Sequence, residues 1–134
     1  MNLDDLPLAE FAFPGPLRDK LVAAILDGTK TTTTALAALY VDEPLPVAGD
    51  VSAVVDSDGR RVAAIETTAV RVLRLADVDL QHAIDEGEGD RTVAQWRAGH
   101  EEFWNSAEVR AELGDDFVLD DGTEVVTQRF RVVG

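Results

Sequence analysis

Apolar positions along the chain recur with two periods, and the switch between them marks the elements. In LRDKLVAAILDG, Leu17, Leu21 and Ile25 return every four residues, with Val22 and Ala24 beside them. That stripe predicts an amphipathic helix over 17–27. Gly28 follows where a left-handed C-terminal cap belongs. The next stretch, KTTTT, is β-branched and suits an extended strand. If it is regular, Lys30, Thr32 and Thr34 point one way, and Thr31 and Thr33 the other.

The rest of the chain reads in the same manner. Prolines 44 and 46 and a Gly-Asp pair at 49–50 mark a loop. VSAVV (51–55) is a short strand, and Asp58-Gly59 is a hairpin turn into a long or bent strand over 61–75. Residues 77–86 read as a short helix closed by Gly87. The clearest helix is TVAQWRAGHEEFWNSAEVRAEL, where Val93, Trp96, His100, Phe103 and Trp104 form one aromatic-rich face. Trp96 and Phe103 are expected to bury against the sheet. A turn at 120–122 leads to a closing strand in which Val126, Phe130 and Val132 share a face, with Arg129 and Arg131 opposite. Strands outnumber helices and lie close in sequence, so the expected class is α+β: a small mixed sheet or barrel flanked by helices.

Composition narrows this picture. The chain has 134 residues, 46% apolar, a length that fits one domain spanning 1–134 with its own core. Cysteine is absent, which excludes disulfides, thiolate metal sites and a cysteine nucleophile. This fits a cytoplasmic location. The acidic start does not resemble a signal peptide, and no apolar run approaches the ~18 residues of a membrane span. The net charge is −14. Residues 1–74 carry 7 basic and 11 acidic side chains, and residues 75–134 carry 5 and 15. Such a field repels long polyanions. It disfavours general coating of DNA or RNA and leaves a small ligand, or a local basic groove in the first half. No phosphate loop, dinucleotide fingerprint or hydrolase elbow is present, and no cofactor is expected.

Several residues stand out for chemistry. Lys30 is one of two lysines, the other being Lys20. Just past a helix C-terminus it either neutralises the negative end of the dipole or acts on a neighbour with a pKa lowered in a cleft. Thr33 is a strand former or a hydroxyl paired with that lysine. Glu66 falls on the face of Val62, Ala64, Val70 and Val72, so it is either held at a barrel mouth or turned to solvent by a bulge. Trp96 and His100 lie one helical turn apart. His100 reads as a core-edge histidine, and with only His82 besides it no metal site is expected. Glu86 and Glu88, in EGEG, line a cleft or, on the simpler reading, a solvated loop. Arg18 and Lys20 give the first helix a small basic end suited to a phosphate.

The order of these pieces resembles the ASCH-domain family. FPGPLRDKLVAAILDGTKTTT carries a Gly-x-Lys-x-x-Ser/Thr motif at Gly28, Lys30 and Thr33. A Gly-Asp turn, a V-x-x-I-E-T-T-x-V strand (62–70), EGEGDRTVAQWRAGHEEFW (86–104) and a terminal RFRVV follow in the manner of the longer bacterial members. The resemblance implies a PUA-like mixed β-barrel flanked by helices, with a cleft beside the first helix for RNA or a modified nucleoside. It implies Lys30, Thr33 and Glu66 as catalytic residues of an amidohydrolase acting on a substrate such as acetylcytidine. Arg18, Lys20, Thr31, Trp96 and His100 are the substrate contacts expected beside them. The alternatives are a non-catalytic RNA-binding module and a ribonuclease.

Overall fold

The computed structural model describes residues 2–134. Its elements are β1 (Leu8–Ala9), α1 (Pro16–Asp27), β2 (Thr32–Leu36), β3 (Val51–Val55), β4 (Arg61–Arg74), α2 (Leu80–Asp85), α3 (Val93–Trp104), α4 (Ala107–Leu113) and β5 (Glu124–Val133), with short 3-10 turns between. The five strands form one mixed sheet in the order β1-β3-β4-β5-β2. Only the β1–β3 pairing is parallel. The sheet curls into a half-barrel with four helices, the α+β PUA-like architecture expected. Among the described residues no helix is long and apolar enough to cross a membrane.

Local chemistry sets the element ends. Pro16 opens α1 at a position where its missing N–H is not needed. Gly28 closes it at φ +88, with its N–H on the Ile25 carbonyl, a conformation that glycine adopts without strain. The long pattern at 92–113 is two helices rather than one. Asn105 ends α3, and the Ser106 side chain accepts from the Val109 N–H to start α4. The long strand β4 shifts register against β5 between Thr67 and Ala69. This bulge changes which side chains face inward.

The half-barrel encloses two apolar clusters. One holds α1 against the sheet through Leu21, Val22, Ile25, Val54, Ile65 and Phe130. The other packs α2, α3 and α4 against β2 and β5 through Leu36, Leu75, Ala83, Trp96, Trp104 and Val125. Trp96 is fully buried and Phe103 is half-buried at the edge of the second cluster. Val125, Val126 and Thr127 are all buried because β5 is covered on both faces there. Val132, near the free end of the same strand, is exposed, in contrast to the face assigned to it from alternation.

Candidate functional site

Between the two clusters lies a buried polar core built around Glu86. Its side chain is 1% exposed, as is that of Lys30. Lys30 follows Gly28 and runs inward ahead of β2. Its ammonium donates to the Thr32 carbonyl at 3.0 Å and to the Glu86 carbonyl and Oε1, both at 3.4 Å. The Phe11 ring lies 5.9 Å from the same nitrogen, within cation–π range.

Each carboxylate oxygen of Glu86 is served from a different direction. Oε1 faces Lys30 Nζ and His100 Nε2, the latter at 3.3 Å. Oε2 accepts from Trp96 Nε1 at 2.6 Å and from the Thr34 hydroxyl at 2.8 Å, and it lies 3.0 Å from His82 Nε2. His82 also lies 2.6 Å from Thr34 Oγ1 and 3.4 Å from Thr32 Oγ1. His100 stacks on Trp96 with ring centroids 4.2 Å apart, and its Nδ1 faces the Trp96 carbonyl at 2.9 Å.

This arrangement decides the charges. Burial pushes the Glu86 carboxyl up, but hydrogen bonds from His100 and His82 and the Lys30 charge outweigh it and hold the group well below its usual range. Burial pushes His100 down, yet its hydrogen bond and attraction to Glu86 raise it above its usual value. Both of its ring nitrogens face acceptors, which favours the doubly protonated ring. Glu88 moves the other way from Glu86. Burial is the main cause, and the neighbouring Glu86 charge adds to it against the pull of Lys30 and His100.

The cluster exists because α2 ends directly against the backbone that leads into β2. The Thr31 N–H donates to the Asp85 carbonyl at 2.8 Å. Gly87 has φ +71, and a Cβ there would sit 2.7 Å from the Thr29 carbonyl carbon. Only glycine allows so close an approach, and it is this approach that carries Glu86 indoors. The simpler expectation of a solvated loop for Glu86 is therefore corrected. The signal available was two i,i+4 pairs, His82–Glu86 and Trp96–His100, on neighbouring helical segments.

The residues expected from sequence fall into separate places. Lys30 is at the centre, and His100 is in contact with Glu86. Thr31 is half-buried and joins Lys30, Gly28, Ile25, Phe130 and Arg131 around a depression of about 300 Å³ beside α1. Lys20 is exposed and donates to the Glu88 carbonyl at 3.3 Å. Thr33 lies between Thr32 and Thr34, and its hydroxyl makes no hydrogen bond among the described residues. The structure does not bring Glu66 to Lys30. Glu66 stands opposite Arg131 in the β4–β5 ladder and binds its guanidinium at 2.7 Å on the surface. Trp96 is fully buried with its N–H committed to Glu86, so its ring is not open to a base. Arg18 is also buried. It donates to the Phe11 and Ala12 carbonyls, which occupies the guanidinium expected for a phosphate.

Donor atoms of Glu86, Glu88 and His100 lie within 4.8 Å of one another, near enough to share an ion. The Lys30 ammonium already touches the same carboxylate and would repel a second cation there. Charge balance thus argues for a proton-handling cluster rather than a metal centre.

Comparison with known proteins agrees with this architecture. The family model of the ASCH domain matches residues 10–134, and the chain belongs to that family. The ASCH domain of Lactobacillus crispatus JV V101 is 26% identical, with a TM-score of 0.78 over 94% of this chain and 79% of that one. A protein of Enterococcus faecalis V583 is 25% identical, with a TM-score of 0.83 over 95% and 76%. An ASCH protein of Zymomonas mobilis, 11% identical with a TM-score of 0.53 over 92% and 67%, shares the fold alone. The search of curated proteins gave no match.

Proposed function

We propose that this member of the ASCH family binds a modified nucleoside or a short RNA element and hydrolyses an amide such as that of acetylcytidine. The carboxylate of the proposed site is Glu86, in the place that the sequence alone gave to Glu66. The observation that carries the reading is the enclosed Lys30–Glu86 pair, with both side chains 1% exposed. Taking two charges out of water is expensive, and a well-packed apolar pair of similar volume is often as stable or more so. A fold that keeps such a pair beside two histidines has a candidate site for chemistry. Lys30 would polarise the amide carbonyl. Thr34, whose hydroxyl donates to Glu86 Oε2, would hold the carboxylate in place, and Thr33, on the opposite face of β2, is left to the strand. Lys20, exposed next to the cluster, would meet a phosphate when the nucleoside is part of a strand.

The test is release of cytidine from acetylcytidine by purified protein, followed by chromatography. Wild type is expected to turn over. Lys30→Gln is expected to lose ~100-fold or more of kcat/KM while still melting cooperatively. The close enclosure of the pair favours a non-catalytic RNA-binding module as the second reading. That reading leads if wild type releases no cytidine but binds RNA. A steep fall of affinity with salt would mark phosphate-driven binding, and a flat one a base-reading pocket.

A further inference from the structure

We propose that Glu88 is the proton-transferring residue of this site, taking a proton from the attacking water and returning it to the amide nitrogen that departs. This rests on the hydrolytic reading above and names a residue that neither the Lys30 motif nor the Glu66 strand pointed to. Glu86 is unsuited to the task. Its oxygens are filled by Lys30, His100, Trp96, Thr34 and His82, so it is a fixed anion that positions its neighbours.

Glu88 is the contrasting carboxylate. Its side chain meets the cluster through Glu86 and His100, and it is 19% exposed where that of Glu86 is 1% exposed. It still belongs to the cluster, with Oε2 3.9 Å from His100 Nε2. The groups that face it are Glu86 from the end of α2, His100 from α3, Lys30 from the segment before β2, and Lys20 from α1 on its own carbonyl. Two carboxylates in one site whose surroundings drive their acidities apart mark an acid–base division of labour. The Glu88 carboxyl is raised, chiefly by burial, which makes its carboxylate a better base near neutral pH.

The step balances without a further reactant. Water oxygen bonds to the acyl carbon, and one water proton passes to the Glu88 carboxylate. The Lys30 charge, its N–H groups held by Thr32 and Glu86, acts on the oxyanion that forms through its field rather than by a hydrogen bond. The carbon–nitrogen bond then breaks with its electron pair on nitrogen, which takes the proton back from Glu88. The products are the carboxylic acid and the free amine, and Glu88 ends as the carboxylate it began as.

The experiment compares wild type, Glu88→Gln and Glu88→Ala on acetylcytidine across pH, with circular dichroism and melting curves on each. Both variants are expected to fold and to lose ~100-fold or more in kcat, with KM within about threefold of wild type. The acidic limb of the pH–rate profile should vanish in both, and formate should restore part of the turnover to Glu88→Ala. A Glu88→Gln protein with wild-type kcat, or one changed in KM alone, overturns the role of Glu88 and leaves the hydrolytic reading standing. Wild-type turnover abolished by a chelator and restored by a divalent ion overturns it in favour of metal chemistry at Glu86, Glu88 and His100. A wild type without turnover removes both readings together.

Discussion

Glu86 with Lys30 and Glu66 with Arg131 are both carboxylate–cation pairs that tie distant parts of the chain together, but they occupy opposite surroundings. The surface pair has the shorter contact, 2.7 Å against 3.4 Å. Its side chains are 29% and 67% exposed, however, while both members of the inner pair are 1% exposed. Water competes for the outer pair and screens it, so it adds little to stability. Removing one partner of the inner pair would leave a charge with no water to take its place. Burial therefore ranks these pairs in the reverse order to distance. It also separates a candidate site from a surface staple.

The comparison is tested most severely at Glu86. Glu86→Ala strands Lys30 and leaves the Trp96 N–H without its acceptor. It is expected to cost ~3–5 kcal/mol in urea unfolding. A loss under about 1 kcal/mol would mean that water reaches the cluster, and the contrast between the two pairs would collapse.

A smaller effect is expected from Gly87→Ala, which alters no charge. The added methyl would meet the Thr29 backbone at 2.7 Å in a left-handed conformation. The expected loss is about 1–3 kcal/mol, together with the loss of any turnover, because the end of α2 must move away from Lys30. A wild-type melting curve would show that the approach of these segments is not what buries Glu86.

The pH dependence sharpens the contrast further. Glu86 is held below its ordinary value of 4.5, so its contribution is present above that value and is lost as pH falls through the lower folded one. His100 is raised above 6.5, so its contribution is present below that value and is lost as pH climbs through the folded one. Glu88, also raised, binds its proton more tightly when folded and has the same sign as His100. The melting temperature should therefore decline as pH rises past about 6.5. The decline should be shallower in His100→Gln, which keeps a hydrogen-bonding side chain but does not titrate. An unchanged slope in that variant would remove His100 from the charged network.

The smallest effect belongs to the surface pair. Glu66→Gln is expected to change stability by ~0–1 kcal/mol, and by less in high salt, with turnover intact. A strong loss of turnover in this variant would return Glu66 to the site and dissolve the comparison.

Much of the molecule was legible from the chain itself wherever the deciding interactions are local. The stripe of α1, its glycine cap and the β-branched run after it follow from propensity and periodicity. Alternation also placed Lys30, Thr32 and Thr34 on one side, and both hydroxyls do reach His82. That logic ended where the backbone departs from regularity. The register shift after Thr67 turns the face on which Glu66 had been counted as apolar. In the window around Glu86, flanked by acids and glycines, the i,i+4 spacing to His82 is the local signal, and by itself it does not distinguish a solvated loop from a buried anion. Its environment comes from α3, from β2 and from the segment carrying Lys30, which is 56 residues away in sequence. Only tertiary packing could assemble those donors. The energy that keeps a charge indoors is a sum over partners that no single stretch of sequence contains.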